Sequence, residues 1–459
     1  MPPISFDAVS ALDRSHLVHP ISEFARSEGR GAQIFVGGHG VELELADGRT
    51  VIDGFSGLAN INVGHGRTEI AEAVAEQMRA LAYYPSFWDF GNAPAARLAG
   101  RLADLLPQDR GLRHMLFGTS GSDANETNFR LAREYHAVRG HPEKQRIVSR
   151  RWGFHGTTRA AGSATGITAY HVNAAPTRDH LHVAPPYCYR CEFGAVHPGC
   201  GLPCAGDLER TLEREGAGTI AAFVVEPVLG TGGMVVPPPD YFAEIQDICR
   251  RHDVLLILDE VITGFGRTGR WFAMEHWDVQ PDLVSLAKGI SSGYLPLSAA
   301  VMSEHVYETL RDGMPRGLPF MYGLTSNNHP ACCAAALANL EILESEGLVD
   351  NAREVGAYLL ERLVEKFSDS PIVGEVRGLG MLTAIEIVRD RATKEPFPNV
   401  ADAHWIGDAC FERGLIARAL FQSVALAPPL CATRHDVDRM IAILADVWPE
   451  AERRFASAA

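Results

Sequence analysis

Several classes of protein are excluded by what this sequence lacks. No apolar run reaches the roughly 18 residues of a membrane-spanning helix, and residues 1–25 have no basic stretch followed by an apolar one, as a secretory signal has. With a net charge of -15, the chain also lacks the basic excess that non-specific nucleic-acid binding requires. We therefore expect no membrane and no nucleic acid among its partners, and a cytoplasmic location.

Cysteine is scarce, and its distribution leaves one question open. The total of nine is odd, which argues against the disulfide framework of an exported protein. Four of the nine have the spacing Cys-x2-Cys-x8-Cys-x3-Cys, which could close a tetrahedral zinc site: Cys188, Cys191, Cys200 and Cys204. Because the segment is rich in proline and glycine, the alternative is a reduced surface loop, and we predict no metal. The zinc interpretation would make the chain a structural or interaction protein.

The order of apolar runs indicates the fold class. Hydrophobic residues make up 46% and charged residues 22%, as in ordinary globular proteins, and 459 residues are too many for one simple core. The middle of the chain alternates short apolar runs with helical patterns, which is typical of an α/β domain with a mostly parallel sheet. Both ends have the patterns of α+β segments. We predict a large α/β domain over residues 61–329 and a smaller α+β domain formed by residues 1–60 and 330–459.

Two polar residues stand at the ends of strand-like runs. Lys288 follows the apolar run 283–287, and Asp259 follows the run 254–258. Apolar surroundings lower the pKa of a lysine, so Lys288 is a candidate Schiff-base nucleophile. Asp259 could pair with a protonated pyridine nitrogen, and together the two residues offer the anchor and the ring partner that a pyridoxal phosphate enzyme needs. Taken singly, each is also compatible with an ordinary charge at a strand exit.

A glycine- and serine-rich loop is the candidate phosphate site. Residues 118–126 lie between a strand-like run and a helical pattern that starts at Thr127, where free N–H groups and the helix dipole attract anions. The alternative is an ordinary helix cap, which also favours serine and aspartate. Neither a Walker A pattern nor Gly-x-Gly-x-x-Gly is present, so a phosphorylated cofactor fits better than a nucleotide. Phe154 could stack on a flat ring or be a core aromatic, and Glu226 could face a pocket or be an exposed strand-end charge.

Taken in order, these motifs resemble those of the class III aminotransferases, which are pyridoxal phosphate enzymes of fold type I. The most specific stretch is 256–269, Leu-Ile-Leu-Asp-Glu-Val-Ile-Thr-Gly-Phe-Gly-Arg-Thr-Gly, followed by Pro281-Asp282 and Ala287-Lys288-Gly289. The resemblance covers roughly residues 20–455. Two motifs depart from the family pattern, since Phe154 stands where tyrosine is usual and Ser-Asn-Asn-His-Pro replaces Tyr-Ser-Gly-His-Pro after Thr325.

The resemblance implies a role for each matching residue. Lys288 would hold pyridoxal 5'-phosphate covalently and then move a proton between substrate and cofactor, and Asp259 would pair with the pyridinium. The other cofactor-binding positions are Ser120, Gly121, Ser122, Phe154, His155, Glu226, Val261 and Thr325. Thr325 matches the threonine that reaches the phosphate of the neighbouring subunit, which implies a homodimer with shared active sites. Such dimers could pair into tetramers.

Within the family, the pocket positions are similar to those of the branch that acts on ω-amino acids or amines with pyruvate. Thr231 stands where the 4-aminobutyrate and ornithine branches have glutamate. Arg418 matches the mobile arginine that binds a keto acid carboxylate, although a solvated surface arginine is the alternative. The implied substrate-binding positions are Leu58, Ala59, Phe87, Trp88, Thr231 and Arg418. Because Ala59 stands where tryptophan is frequent, we expect a larger pocket that accepts bulkier amines.

The implied reaction is a ping-pong transamination. An amine or ω-amino acid donates its nitrogen, and a keto acid, pyruvate before others, accepts it. Two enzymes with the same scaffold are alternatives. An aminomutase of the glutamate-1-semialdehyde type would need no keto acid, and a dialkylglycine decarboxylase would release carbon dioxide. The identity and handedness of the amine donor stay open.

Overall fold

The strands of the molecule form three sheets. The computed structural model describes residues 6–25, 29, 31–398 and 401–456, and within them three strands make a first sheet, seven a central sheet and four a third. In chain order they are β1 (Phe35–His39), β2 (Glu42–Leu45), β3 (Thr50–Ile52), β4 (Leu112–Gly118), β5 (Arg146–Arg150), β6 (His180–Val183), β7 (Ile220–Val225), β8 (Leu255–Asp259), β9 (Leu283–Leu286), β10 (Ser298–Ser303), β11 (Val373–Leu379), β12 (Leu382–Ile387), β13 (Arg418–Leu420) and β14 (Ser423–Leu426).

The central sheet has the order β4-β10-β9-β8-β7-β5-β6. β10 is antiparallel to both of its neighbours, and the remaining pairs are parallel. Every residue of β7 and β8 is buried, as expected for strands covered by other elements on both faces. The prediction of an α/β fold with a mostly parallel central sheet is therefore confirmed.

Strand direction brings the predicted site residues to one edge of this sheet. β7, β8 and β9 are parallel neighbours, so Glu226, Asp259 and Lys288, which end or follow them, emerge on the same side. β4 runs in the same direction as β9, because β10 is antiparallel to both. Ser120, two residues after β4, therefore reaches the same edge, where open α/β sheets bind their ligands.

Helices occupy much of the chain between the strands. Those longer than five residues are α1 (Phe6–His16), α2 (Thr68–Ala80), α3 (Ala93–Leu105), α4 (Gly121–Val138), α5 (Arg159–Ala164), α6 (Pro203–Glu215), α7 (Tyr241–Arg251), α8 (Glu304–Gly313), α9 (Pro330–Ser345), α10 (Leu348–Phe367), α11 (Ala401–Glu412) and α12 (Arg434–Ala456). A four-residue helical turn, Ser56–Ala59, follows β3. Helix α4 begins six residues before the predicted start at Thr127, because Ser120 caps it.

The two ends of the chain meet beside the central sheet. Ile52 forms a parallel bridge with Leu415: its N–H donates to the Gly414 carbonyl at 2.8 Å, and its carbonyl accepts from the Ile416 N–H at 2.9 Å. This contact agrees with a small domain drawn from both ends, while the boundaries at residues 60 and 329 stay a prediction. In the described part of the chain, no helix combines the length and the apolar character needed to cross a membrane.

A buried arginine joins these ends to the central domain. Arg267, which follows β8, donates to the Pro428 carbonyl at 2.5 Å and to Asn62 Oδ1 at 2.6 Å. Burial lowers the pKa of Arg267 to about 9, so the guanidinium stays charged at neutral pH. Because Arg267 lies in the segment that follows Asp259 at the end of β8, its contacts connect this part of the central domain to both ends of the chain.

Candidate active site

A cavity of about 370 Å³ lies at the carboxyl edge of the central sheet. Ten of the residues predicted from the sequence line it: Leu58, Ser120, Gly121, Ser122, Phe154, His155, Glu226, Asp259, Val261 and Lys288. The remaining wall includes Asn60, Asn125 and the loop 291–297. The structure thus brings the lysine, the aspartate and the phosphate-loop candidates around one space.

Lys288 has the properties of a nucleophilic amine. It follows β9 and has a left-handed backbone (φ 46°), a conformation that costs energy outside glycine and recurs at functional sites. Burial lowers the pKa of the Lys288 ammonium; the Asp259 and Glu226 carboxylates oppose the shift, and Arg418 reinforces it. A lowered pKa increases the fraction of neutral amine at neutral pH, which is the form that attacks a carbonyl.

Asp259 is a buried carboxylate held in a fixed orientation. Its Oδ2 accepts from Asn125 Nδ2 at 2.7 Å and pairs with His155 Nδ1 at 2.8 Å. Its Oδ1 accepts only a longer bond, from the Val261 N–H at 3.1 Å, among the residues that the structure describes. A carboxylate has about four acceptor positions, so Oδ1 keeps capacity for a cationic N–H donor in the cavity.

The start of α4 forms an anion cradle beside Asp259. Ser120 is the N-cap: its Oγ accepts from the Asp123 N–H at 3.3 Å, and Asp123 Oδ2 accepts from the Ser120 N–H at 3.0 Å. Gly121 and Ser122 are the first two helical residues, whose N–H groups have no acceptor within the helix. A Cβ on Gly121 would lie 2.8 Å from Val261 Cγ1, so the approach of the two loops requires glycine there.

Glu226 and Phe154 also line the cavity. The two carboxylate oxygens of Glu226 accept the N–H groups of Phe154 at 3.0 Å and Gly230 at 2.9 Å. Burial raises the pKa of Glu226, although these bonds and the nearby His155 favour its charged form. The Phe154 ring packs edge-on against Tyr170 with 5.3 Å between centroids, so its position at the cavity is fixed from behind.

Arg418 lies in the same neighbourhood without lining the cavity. It begins β13, and its guanidinium carbon is 5.6 Å from the centre of the Phe55 ring. Burial lowers the pKa of Arg418, and the Tyr170 hydroxyl opposes that shift. In the described ranges no carboxylate forms an ion pair with Arg418. A half-buried cation without an anionic partner can accept a carboxylate ligand.

The other predicted substrate residues lie away from the cavity wall of this chain. Ala59 is only 2% exposed and belongs to a buried apolar cluster with Phe55. Leu58, and not Ala59, lines the cavity. The larger pocket expected from Ala59 stays a prediction. Thr231 is half-buried in the turn after Gly230 and does not line the cavity.

Three further predicted residues cluster on an outer surface. Trp88 is 80% exposed, and the Phe87 ring lies 5.7 Å from it. Thr325 is exposed as well, and its carbonyl accepts the Tyr83 hydroxyl at 2.5 Å. Thr325 is therefore not brought to the phosphate cradle of its own chain, and its predicted role depends on a second subunit.

Asn125 is a site residue that the sequence patterns did not single out. It lines the cavity and donates to Asp259 from inside α4. Asn125 lies four residues after Gly121 and therefore on the same helix face as this cradle residue, which was the available signal.

The cysteine loop provides no metal cluster. In the parts of the chain that the structure covers, no group of three or more His, Cys, Asp or Glu side chains is arranged to hold a metal ion. Burial raises the pKa of Cys188, and that of Cys204 to about 11, so these thiols stay protonated at neutral pH. The zinc interpretation therefore gains no support from the arrangement of the four cysteines.

Comparisons with known proteins agree with the fold and the site. The class-III aminotransferase family matches residues 24–448. A diaminobutyrate–2-oxoglutarate transaminase of Halomonas elongata is 41% identical over 434 residues, covering 93% of this chain and 92% of that protein. A putrescine–pyruvate aminotransferase of Pseudomonas aeruginosa is 36% identical over 435 residues, covering 94% of each. The crystal structure of an (S)-enantioselective ω-transaminase from Thermomicrobium roseum superposes with a TM-score of 0.94 at 41% identity, over 98% of this chain and 99% of that one.

The chain belongs to the class-III aminotransferases, as its motifs predicted. Its architecture is that of the ω-transaminases, with the fold type I arrangement expected from the sequence.

Proposed function

We propose that the protein is a pyridoxal phosphate-dependent transaminase that moves the amino group of an amine or ω-amino acid to a keto acid, with pyruvate as the first candidate. The observation that carries the proposal is the convergence of Lys288, Asp259 and the Ser120–Ser122 cradle on one cavity. An amine of lowered pKa, a buried carboxylate and an anion cradle are the three groups that bind an aldehyde, a pyridine ring and a phosphate.

The residues present fit pyridoxal phosphate in shape as well as in chemistry. Gly121 leaves room at the cradle that a Cβ would close, and Asp259 Oδ1 keeps acceptor capacity toward the cavity. Bound pyridoxal phosphate supplies the electron-withdrawing ring that stabilises negative charge on the substrate carbon. Ser120, Gly121 and Ser122 would hold its phosphate, Asp259 its ring nitrogen, and Phe154 and Val261 would flank its ring, with His155 and Glu226 in support.

Side chains of the protein would move the proton and surround the substrate. Once released from its covalent role, the neutral Lys288 amine can accept a proton from the substrate carbon and return it to a neighbouring atom. Both halves of a ping-pong cycle use this transfer, so the donor can leave as a ketone or aldehyde before the keto acid enters. The apolar side chains of Leu58 and Leu297 line the cavity on this chain.

Arg418 would bind the carboxylate of the acceptor. Replacing Arg418 by leucine is expected to lower kcat/KM for pyruvate about 100-fold, because a paired guanidinium–carboxylate contact contributes roughly 2 to 3 kcal/mol. An apolar donor such as 1-phenylethylamine has no carboxylate, so its kcat/KM should change less than about threefold. Half-reaction rates measured separately for donor and acceptor check both values.

The control for Arg418→Leu is Arg413→Leu. Arg413 lies on the surface, where it pairs with Asp446 and Glu450. Replacing it should leave the rates of both half-reactions unchanged. Equal losses for pyruvate and for the apolar amine would contradict a carboxylate-binding role. Comparing pyruvate with 2-oxoglutarate in the same assay identifies the acceptor, since relatives of both preferences share this fold.

We also propose a homodimer whose subunits share their active sites. The segments 81–90 and 318–325 are joined by the Tyr83–Thr325 bond and expose large apolar side chains, including Trp88 at 80% and Met321 at 71%. Contiguous exposed apolar surface of this kind marks protein interfaces. Thr325 would then reach the phosphate cradle of the partner.

Light scattering should therefore give a mass of twice 49.9 kDa or a multiple of that dimer. Thr325→Val should weaken pyridoxal phosphate binding by about tenfold or more, through loss of one hydrogen bond to a charged group, without dissociating the dimer. Its neighbour Ser326→Ala is the control. A fully active monomer would contradict the shared site.

The reaction itself is tested by product analysis. Purified protein incubated with pyridoxal phosphate, 1-phenylethylamine or β-alanine, and pyruvate should form alanine and the carbonyl product in equal amounts. Turnover that needs no keto acid would indicate an aminomutase, and release of carbon dioxide would indicate a decarboxylase. No product with any donor would overturn the proposed function.

A further inference from the structure

A line of buried polar side chains ends on the Asp259 carboxylate. Asn128 Nδ2 donates to Ser285 Oγ at 2.8 Å, Ser285 Oγ donates to Asn125 Oδ1 at 2.7 Å, and Asn125 Nδ2 donates to Asp259 Oδ2 at 2.7 Å. Asn128 and Ser285 are 0% exposed, and Asn125 is 1% exposed. We call these three residues the donor chain.

The direction of the hydrogen bonds in the donor chain follows from which atoms can donate and which can only accept. Asn125 Nδ2 faces the Asp259 carboxylate and also the His155 carbonyl, at 2.7 Å each, and both of these oxygens can only accept. The Asn125 amide oxygen must then face Ser285, whose hydroxyl has to donate to it. The lone pairs of Ser285 Oγ are left for the Asn128 amide, so every donor in the chain points toward Asp259.

We propose that Asn125, Ser285 and Asn128 are positioning residues that hold the Asp259 carboxylate in the orientation that the ring nitrogen of the cofactor requires; this inference rests on the proposed function. Hydrogen bonds to a carboxylate stabilise its charged form, and aligned bonds in a low-dielectric interior strengthen one another. Burying three polar side chains costs free energy that apolar residues would avoid. The donor chain places the Asn125 amide on Asp259 Oδ2, whereas the Val261 N–H bonds to the other oxygen, Oδ1.

Two serines of the central sheet provide a matched pair of variants. Ser285 lies on β9 and donates to Asn125, which in turn donates to Asp259. Ser149 lies on β5 and donates to the Ala164 carbonyl at 2.6 Å. Both are fully buried, so Ser285→Ala and Ser149→Ala each delete one buried hydroxyl from the same sheet. Apoprotein of each variant is titrated with pyridoxal phosphate and with the analogue in which CH replaces the ring nitrogen.

Ser285→Ala is expected to weaken pyridoxal phosphate binding about tenfold, the usual effect of losing support for a buried charged hydrogen bond. Binding of the CH analogue should change less than about twofold, because its ring has no protonated nitrogen with which Asp259 could pair. Ser149→Ala should leave both dissociation constants unchanged, whatever it does to the melting temperature.

Asn128→Leu is the second variant, and it removes the residue of the donor chain that is furthest from Asp259. We expect it to weaken the binding of pyridoxal phosphate about threefold and to leave the binding of the CH analogue unchanged. The proposal is overturned if Ser285→Ala and Asn128→Leu weaken both ligands equally, or neither ligand, or if Ser149→Ala behaves like Ser285→Ala. If the proposed function itself is wrong, the wild-type protein will bind neither pyridoxal phosphate nor the CH analogue.

Discussion

Replacing Lys288 by alanine is expected to abolish transamination, with kcat reduced by at least about 10⁴-fold. Proton transfer by a positioned base alone contributes roughly 10² to 10⁴-fold, and Lys288 would also supply the covalent anchor. Nothing else in the cavity offers an amine: Lys288 is the lysine among the residues that line it. Single-turnover measurements with amine-loaded protein check the chemical step directly.

Two further measurements make the Lys288 result specific. Methylamine added to Lys288→Ala should restore part of the rate, because a small amine can occupy the vacated space and carry the proton. Lys366→Ala, at the exposed end of α10, should behave as wild type. A Lys288→Ala protein that keeps more than about one hundredth of the wild-type rate would show that another group moves the proton.

Replacing Asp259 by asparagine is expected to lower kcat about 10³-fold with little change of shape. The amide has the size of the carboxylate but no charge, so a protonated ring nitrogen would lose its counter-ion in a buried site. Removing one such preorganised electrostatic group typically costs 10² to 10³-fold or about 3 to 4 kcal/mol. The rate of the donor half-reaction, measured at saturating amine, reports this loss.

Asp282→Asn is the matched control for Asp259→Asn. Asp282 precedes β9, at the opposite edge of the sheet from the site, and its Oδ2 accepts the Leu256 N–H at 2.8 Å. Asp282 is half-buried and, like Asp259, accepts a backbone N–H, but it lies away from the site. Equal losses of rate in the two variants would show that Asp259 acts through the stability of the sheet.

The part of the site that lies at strand ends could be predicted from the sequence. Lys288 and Asp259 each follow a run of apolar residues that is recognisable as a buried strand, and parallel strands bring their carboxyl ends to one edge. The cradle at Ser120 was recognisable from its glycines and its N-cap. These signals are local, so one sequence was sufficient to locate them.

Other features depend on contacts that no local pattern contains. Asn125 is one of several polar residues in α4, and only its pairing with Ser285, 160 residues away, identifies its role. Which of Leu58 and Ala59 faces the cavity could not be predicted, because left-handed backbone at Ser56, Gly57 and Ala59 breaks the helical periodicity. The roles predicted for Thr325 and Trp88 would need the second subunit of the proposed homodimer, which the pattern of one chain does not contain.

The measurement that tests the central claim most directly is a visible absorbance spectrum of the protein loaded with pyridoxal phosphate. We predict a cofactor band that amine bleaches and that pyruvate then restores, which would establish the Lys288 site and both half-reactions in one sample. Lys288→Ala should show neither change at a comparable rate. A wild-type protein with no such band after incubation with pyridoxal phosphate, or with a band that no amine or ω-amino acid alters, would contradict the account.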